Sequence, residues 1–402
     1  MKKLYRGFAA MLSVAVTVLM GAVLYYDRAL PDSFYLAVSS SEPASIRVGT
    51  PLGIEGSVTA QGSTGTAELK MLGAVSIKQV DVQFVNRKMV VPCGYPFGIK
   101  MFTEGVVVVG LTDVEQNGIF VNPAQQAGIR VGDVITQLDG QPMQLNEDVA
   151  AVMSASGGRA IDYVLNRKGE TIRGTIQPVL ADNGEYKAGI WVRDSSAGIG
   201  TMTYYDPATM TFAGLGHAVC DVDTGEVLPL GKGEIVDVSI TGVNKGIAGE
   251  PGSLKGSFEG SRLTGFMAIN CDTGVYGKLR TLPVTTNSAV PIALKQEVRE
   301  GPAQIYTTVE GKTPQCYDIV IEKINLTSSS KTKSMVIRVT DPELLEKTGG
   351  IVQGMSGSPI LQDGKLAGAV THVFVNDLTR GYGIFAENME ETAATIQTDS
   401  AA

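Results

Sequence analysis

Hydrophobic and polar positions follow three different patterns along this chain of 402 residues. An uninterrupted apolar run at 8–26 is long enough for a helix that crosses the hydrocarbon layer of a membrane. Apolar and polar positions then alternate, as at 80–85, with the period of two that is typical of β-strands. After residue 182, short apolar runs are separated by glycines and long helical patterns are nearly missing. The chain is therefore predicted to be mainly β, after an N-terminal transmembrane helix and a small β-rich region.

The charges beside the apolar run give its expected orientation. Three basic residues lie within the first six positions, and Asp27-Arg28 follows the run. By the positive-inside rule, the N-terminus stays in the cytoplasm and the remaining chain crosses the membrane. A cleaved signal peptide is one alternative, although its apolar region is usually only about 7 to 15 residues long, and a buried core helix is another. We expect an uncleaved anchor, an extracytoplasmic body and later proteolysis near Ser39–Ser41.

The order of predicted elements between residues 97 and 180 is specific. The pattern predicts strands at 105–109 and 118–121, a one-turn helix at 124–127, a hairpin turn at 139–140, a helix over 146–156 with Asn146 as N-cap, and strands at 160–167 and 171–178. Together with the motif A-x-x-A-G-I-x-x-G-D-V-I-x-x-L-D-G-Q, this order resembles the PDZ domains attached to bacterial envelope proteases.

The PDZ resemblance implies a peptide-binding function. In such domains a peptide adds as a strand to an open sheet edge, and backbone N–H groups of a glycine-containing loop bind its C-terminal carboxylate. Phe97, Gly98 and Ile99 are the candidates for that loop. The alternative is a domain that serves only for rigidity or for docking between domains.

The C-terminal region reads as one or two all-β barrels. Its predicted strands lie at 189–193, 210–215, 234–240, 264–270, 304–309, 317–326, 334–339 and 366–375. The formal net charge of -8 offers no basic field, so nucleic acid is not expected as a partner.

The cysteines and histidines give no metal-ligand spacing. The four cysteines, at 93, 220, 271 and 316, are far apart, so disulfides and free thiols both remain open. His217 and Cys220 would form half of a zinc site, but no second half accompanies them. No metal or other cofactor is predicted, because no phosphate-binding loop is present either.

The segment 354–360, Gly-Met-Ser-Gly-Ser-Pro-Ile, carries the strongest chemical signal. A serine between glycines can present its hydroxyl on a tight turn, and the N–H groups of Gly354 and Ser356 could together stabilise an oxyanion. This G-x-S-G-x-P pattern resembles the nucleophile turn of chymotrypsin-like serine proteases. Taken alone, the same residues also fit an ordinary β-turn.

A serine nucleophile needs a base, and the chain has two histidines. We predict His217 as the base, because it follows an apolar strand and precedes the serine, in the chymotrypsin-like order. His372 lies within a predicted strand, and we expect it to pack behind the site. A thiol protease based on Cys220 is a weaker hypothesis, since no glycine turn frames that cysteine.

The orienting carboxylate cannot be chosen from spacing. The candidates between base and serine are Asp221, Asp223, Asp237, Asp272 and Asp341. Asp341 precedes Pro342, which is also typical of a helix N-cap.

Four segments make the whole chain resemble the stage IV sporulation protein B family of serine peptidases. They are Leu215-Gly216-His217, the run 340–345 (TDPELL), the run 349–360 (GGIVQGMSGSPI) and the run 371–377 (THVFVND). The resemblance implies a chymotrypsin-like double β-barrel with Ser356 as nucleophile, His217 as general base and Asp341 as the carboxylate that orients it.

The resemblance also implies a biological role. Proteins of this family are exported into the space between the forespore and mother-cell membranes and cleave themselves near the N-terminus. They then cut the extracytoplasmic domain of a membrane-bound regulator, which releases an intramembrane metalloprotease to activate a late mother-cell sigma factor. The expected PDZ roles are self-recognition and substrate presentation. The protein is expected to be anchored in the membrane, from which self-cleavage can release it.

The predicted domains are an anchor (1–30), a linker and β-rich region (31–95), a PDZ domain (96–181) and a serine peptidase domain (182–402). A catalytically inert, membrane-anchored PDZ scaffold of the cell envelope is the alternative function.

Overall fold

The computed structural model describes residues 2–38, 44–50, 52–283 and 287–398. The predicted proteolysis region at Ser39–Ser41 lies outside these residues. Helix α1 (Lys2–Ala29) contains a segment, Tyr5–Ala29, that is long and apolar enough to cross a membrane, and its most apolar part is not buried in the protein. A signal sequence or a core helix can be equally long and apolar, but a core helix would be mostly buried.

A five-stranded sheet follows the helix. Its strands are β1 (Ser33–Ala37), β2 (Ser45–Val48), β3 (Ile54–Gln61), β4 (Thr64–Met71) and β5 (Val75–Val85). Their order is β1-β5-β4-β3-β2, and β1 runs parallel to β5. Alternate side chains such as Phe34, Leu69 and Val82 form its core. Lys78 of β5 donates to the Leu30 carbonyl at 2.7 Å, which ties the end of α1 to this sheet.

The next part of the chain contains the elements predicted for a PDZ domain and further short strands. They are β6 (Met89–Pro92), β7 (Pro96–Leu111), β8 (Val114–Gln116), β9 (Ile119–Val121), α2 (Pro123–Gln126), β10 (Val134–Leu138), β11 (Gln141–Pro142), α3 (Asn146–Ala155), β12 (Ile161–Arg167) and β13 (Glu170–Ile176). Asn122 caps α2 by accepting from the Gln125 N–H at 2.9 Å. The N-cap of α3 is Leu145, one residue before the predicted Asn146, because Asp148 reaches back to the Leu145 N–H.

A first β-barrel combines β7 of that region with strands that follow it. The further strands are β14 (Val179–Leu180), β15 (Tyr186–Lys187), β16 (Ile190–Tyr205), β17 (Thr211–Gly214), β18 (Leu230–Asn244), β19 (Ser253–Cys271), β20 (Gly274–Leu279) and β21 (Val290–Pro291). Six antiparallel strands pair in a ring in the order β7-β18-β19-β20-β17-β16, and β16 pairs with β7 again.

A second closed barrel follows. Its strands are β22 (Gly301–Thr307), β23 (Gln315–Ile324), β24 (Met335–Val339), β25 (Pro359–Gln362), β26 (Lys365–Phe374) and β27 (Asp377–Phe385), paired in the order β22-β23-β24-β27-β26-β25. Helix α4 (Pro342–Thr348) lies between β24 and β25, and α5 (Ala386–Ala393) and α6 (Thr395–Thr398) follow β27. The mainly β fold with two barrels is therefore confirmed.

Two long strands connect the PDZ region to the first barrel. In the PDZ region the strand order is β13-β12-β10-β7-β16, where residues 106–107 of β7 pair with β10. Residues 97–103 of β7 pair instead with β18, inside the barrel. β16 pairs with β7 along both parts. The domain boundaries at 96 and 182 were drawn from sequence, and the observed pairing makes β7 and β16 common to both units.

Candidate functional site

Ser356 lies in a turn between helix α4 and strand β25, where glycines flank it on both sides. Gly354 and Gly357 have φ values of +99° and +95°, a left-handed conformation that strongly favours glycine. Met355 points into the core of the second barrel and is fully buried, so the half-buried Ser356 is left near the surface. The Ser358 hydroxyl donates to the Met355 carbonyl at 2.7 Å and closes the turn.

The N–H groups proposed for an oxyanion hole are free in the described part of the chain. Neither the Gly354 N–H nor the Ser356 N–H donates to a protein acceptor there, whereas the Gly357 N–H donates to the Val370 carbonyl at 2.8 Å. The Ser356 hydroxyl donates to the Thr371 carbonyl on β26 at 2.7 Å. The turn thus offers two free donors beside a hydroxyl whose partner in this structure is a backbone oxygen.

The segment that carries His217 packs against this turn. A Cβ added to Gly357 would lie 2.5 Å from the Leu215 nitrogen, and one added to Gly216 would lie 3.0 Å from the Thr371 side chain. The backbone of 215–217 therefore lies against Gly357, the neighbour of Ser356, and against strand β26, which accepts the Ser356 hydrogen bond. The structure brings the predicted base and nucleophile segments together between the two barrels.

His217 has the tautomer that a general base requires. Its Nδ1 lies 2.8 Å from the Ala218 carbonyl, which can only accept a hydrogen bond, so Nδ1 carries the proton and Nε2 carries the lone pair. Burial lowers the pKa of His217, although the hydrogen bond to Ala218 acts in the opposite direction. The imidazole is therefore neutral at pH 7 and able to accept a proton.

His372 lies beside His217, on strand β26. The two ring centroids are 4.9 Å apart, with 36° between the ring planes. Burial lowers the pKa of His372 to about 4, and the nearby His217 and Lys333 act in the same direction. Part of this residue is nevertheless exposed. Sequence reasoning placed this residue behind the site. The signal for a closer role was its place in the run 371–377, one of the four segments that carry the family resemblance.

Asp341 is the N-cap of α4. Its carboxylate accepts from the N–H groups of Glu343 and Leu344 at 2.9 and 3.1 Å, and from the Asp318 N–H at 3.3 Å. The helix-start interpretation of Asp341-Pro342 is thus confirmed. Within the described residues, no hydrogen bond joins this carboxylate to either imidazole. Asp221, another candidate from the sequence, pairs with Arg193 at 3.0 Å.

The predicted carboxylate-binding loop needs a correction. Phe97, Gly98 and Ile99 are not in a loop but in the barrel part of β7, between β16 and β18, where Gly98 pairs with Ile199 on one side and Val236 on the other. Phe97 and Ile99 are buried in the core of the first barrel. Backbone groups that already take part in two ladders cannot bind a ligand's carboxylate.

A groove of about 650 Å³ lies elsewhere in the PDZ region. Helix α3 forms one wall, with Val149, Ala150 and Met153, and the segment 186–192 forms the other. That segment ends in the first residues of β16, which pair with β7 along one edge only. The sequence pattern did not indicate this wall, because it depends on the long-range pairing of β16 with β7.

All four cysteines are free thiols. Cys93 is buried, and burial raises the pKa of its thiol far above the usual range. Cys220 and Cys316 are exposed, and burial of the thiol, with nearby aspartates, raises the pKa of each as well. A raised pKa disfavours a reactive thiolate, so the Cys220 thiol-protease hypothesis gains no support.

Comparison with known proteins gives similarity in two regions. The model of the SpoIVB peptidase S55 family matches residues 184–390, and a PDZ domain model matches residues 122–167. A putative zinc metalloprotease of Clostridium perfringens is 29% identical over 69 residues, which are 17% of this chain and 21% of that protein. A putative zinc metalloprotease of Bartonella henselae is 32% identical over 85 residues, 21% of this chain and 24% of that protein. The chain thus spans about a quarter or less of the length of these relatives.

Among solved structures, the PDZ domain of an SdrC-like protein from Listeria monocytogenes is similar at 19% identity, with a TM-score of 0.18. The match covers 22% of this chain and 87% of that one. The family-model match is far longer, since it covers more than half of the chain and includes both His217 and Ser356. This protein therefore belongs to the SpoIVB peptidase S55 family.

Proposed function

We propose that this protein is a membrane-anchored serine endopeptidase in which Ser356 is the nucleophile and His217 the general base. The observation that carries the proposal is the packing of the His217 segment against the Ser356 turn, with free N–H groups at Gly354 and Ser356. Family membership supports the same chemistry.

The reaction follows from these positions. The Ser356 hydroxyl turns from the Thr371 carbonyl toward Nε2 of His217, which takes its proton as the oxygen attacks the substrate carbonyl. The N–H groups of Gly354 and Ser356 stabilise the resulting oxyanion. The imidazolium then protonates the leaving amine, and a water molecule, activated by the same imidazole, hydrolyses the acyl-enzyme.

Labelling with a fluorophosphonate tests this proposal. The full-length protein in detergent should be labelled at Ser356, and both Ser356→Ala and His217→Ala should remove the labelling. The Ser356 hydrogen bond to Thr371, rather than to an imidazole, favours the second candidate, an inert PDZ scaffold. A wild-type protein that resists the label under all conditions would support that scaffold and contradict the peptidase.

Asp341 is proposed as the carboxylate that orients His217, and its capping role makes the test specific. Asn caps helices about as well as Asp, whereas Ala does not. If Asp341 acts as the triad carboxylate, Asp341→Asn and Asp341→Ala should both lose labelling at Ser356. If it acts only as a cap, Asp341→Asn should react like the wild type and only Asp341→Ala should be impaired.

We propose the groove between α3 and the segment 186–192, in place of the Phe97–Ile99 loop, as the peptide-binding surface. Ala150 is exposed and lines this groove, so Ala150→Trp should fill it. Ala151 is also exposed but lies outside the groove, so Ala151→Trp is the matched control. Loss of self-cleavage in the first variant alone would support peptide recognition, and equal cleavage in both would contradict it.

The proposed substrates are the chain itself and the extracytoplasmic domain of a membrane-bound regulator of an intramembrane metalloprotease. The cut in the regulator leads to activation of a late mother-cell sigma factor. These assignments rest on family membership. Incubation of the purified regulator domain with wild-type and Ser356→Ala protein tests them: only the wild type should produce a discrete cut. An uncut regulator, with Ser356 shown to be reactive, would contradict this substrate but not the peptidase.

A further inference from the structure

Thr201 of β16 contacts the nucleophile turn through both its backbone and its side chain. Its N–H donates to the Ser356 carbonyl at 3.0 Å, and its hydroxyl donates to the Gly354 carbonyl at 2.8 Å. Its own carbonyl accepts from the Leu215 N–H at 3.2 Å. Thr201 is only 1% exposed, so these bonds form away from competing water. One residue of the first barrel therefore holds the turn of the second barrel and the segment that leads to His217.

These contacts fix the direction of the Ser356 N–H, one of the two proposed oxyanion donors. A carbonyl that is hydrogen-bonded fixes its whole peptide plane, because the peptide unit is rigid. Thr201 holds the planes that carry the carbonyls of Gly354 and Ser356. The peptide plane between these two carries the Ser356 N–H. This plane is therefore held from both sides, while the hydrogen of the Ser356 N–H has no acceptor among the described residues. Thr203, two positions along the same strand, donates to the Gly357 carbonyl at 2.8 Å and extends this support by one residue.

We propose that Thr201 is a positioning residue for the reaction at Ser356, and that its hydroxyl keeps the Gly354–Ser356 turn in the conformation that presents the oxyanion donors. The inference rests on the proposed function of Ser356 and names a residue that the sequence motifs do not include. Thr201 touches no reacting atom. It acts through the turn, and supporting residues of this kind typically change activity by about 10- to 100-fold.

The test uses substitutions that separate the hydroxyl from the shape of the side chain. Thr201→Val keeps the shape and the N–H but removes the hydroxyl, and Thr201→Ser keeps the hydroxyl. Thr308→Val is the matched control, because the Thr308 hydroxyl is equally buried and donates to the Gly94 carbonyl at 2.9 Å, far from the turn in sequence. The rate of fluorophosphonate labelling of full-length protein in detergent is measured against reagent concentration.

We expect Thr201→Val to lower the maximal labelling rate by about 10- to 100-fold, with the half-saturating concentration within about twofold of wild type. Thr201→Ser should restore the rate to within a few-fold, and Thr308→Val should label like wild type. Equal rates for wild type and Thr201→Val would overturn the positioning role and leave the proposed function intact. An unlabelled wild type would instead refute the proposed function itself.

A second pair of variants covers a folding defect. If circular dichroism shows that Thr201→Val does not fold, Thr201→Ala is compared with Thr201→Ser, since these two differ only by the hydroxyl. A slower rate in the alanine variant alone supports the proposal. Equal rates in both would overturn it, because the hydroxyl would then have no effect on the turn.

Discussion

Replacing Gly357 with alanine should disrupt the contact between the two barrels directly beside Ser356. The added Cβ would lie 2.5 Å from the Leu215 nitrogen and 3.0 Å from its Cα, and it would also press on the Thr201 carbonyl. These are backbone atoms, and neither side can easily withdraw. The Leu215 N–H is bonded to Thr201, and the Gly357 N–H is bonded to the Val370 carbonyl at 2.8 Å.

The expected cost has two parts. A non-glycine residue in the left-handed conformation costs roughly 1–2 kcal/mol, and overpacking a close backbone contact adds about 1–3 kcal/mol. Gly357→Ala should therefore lower the free energy of unfolding by about 2–5 kcal/mol. Gly364 has a φ of +73° in the same barrel, but its Cβ position has no atom within 4 Å. Gly364→Ala should cost only the first part, about 1–2 kcal/mol.

Urea unfolding and labelling together test this prediction. The single tryptophan, Trp191, lies on β16, so its fluorescence reports on the strand that the new methyl group would push. Gly357→Ala should shift the fluorescence midpoint to lower urea by more than Gly364→Ala, and it should also lose labelling at Ser356. Equal shifts in the two variants, or wild-type labelling in Gly357→Ala, would refute the packing argument.

Three further predictions concern pH and the proposed membrane anchor. Because burial lowers the pKa of His217, the labelling rate should rise with pH through a midpoint below 6.5, and a midpoint at or above that value would contradict a desolvated base. Burial would raise the pKa of Glu297, but hydrogen bonds from Arg87, the Leu294 N–H and Lys365 outweigh it and lower the pKa to about 2. The resulting stabilisation, about 3 kcal/mol, should be present above pH 4.5 and be lost as the pH falls toward 2; acid titration of Glu297→Gln should lack this loss. β1 pairs with β5, so a chain cut at an introduced protease site within 38–44 should stay in the membrane pellet until urea is added. Immediate release of the cut chain would show that this pairing is too weak to hold it.

Local signals in the sequence predicted the elements that depend on local physics. The Asp341-Pro342 pair starts a helix as expected, because a side-chain oxygen followed by proline satisfies the first helical N–H groups wherever the helix lies. Asn122-Pro123, which the pattern indicated only as the end of a strand, starts α2 in the same way. The Ser356 turn was also recognisable from a local signal, the glycines on both sides of the serine. Its glycines have the left-handed conformation that the motif indicated.

The sequence was least informative where the fold depends on strand partners far apart in the chain. Phe97–Ile99 looks like the loop before a PDZ strand, but pairing with β16 and β18 makes it part of a barrel wall. His372 lies within a strand, as expected, and the closure of the second barrel brings its ring to 4.9 Å from His217, a contact that the sequence did not predict. Hydrophobic periodicity identifies strands but does not choose their neighbours, so these two contacts could not be read from it.

The shared strand β16 explains why the PDZ region and the peptidase site should be dissected by point substitutions. Its first residues line the α3 groove, Arg193 pairs with Asp221 of the His217 loop at 3.0 Å, and Thr201 holds the Ser356 turn. A deletion of 97–180 would remove β7 from the first barrel as well as the groove, and the ring of six strands would lose the partner of both β16 and β18. Loss of activity after such a deletion would follow from the broken barrel alone. Ala150→Trp changes the groove and leaves every strand pair in place, so only a substitution of that kind can show whether peptide binding affects cleavage.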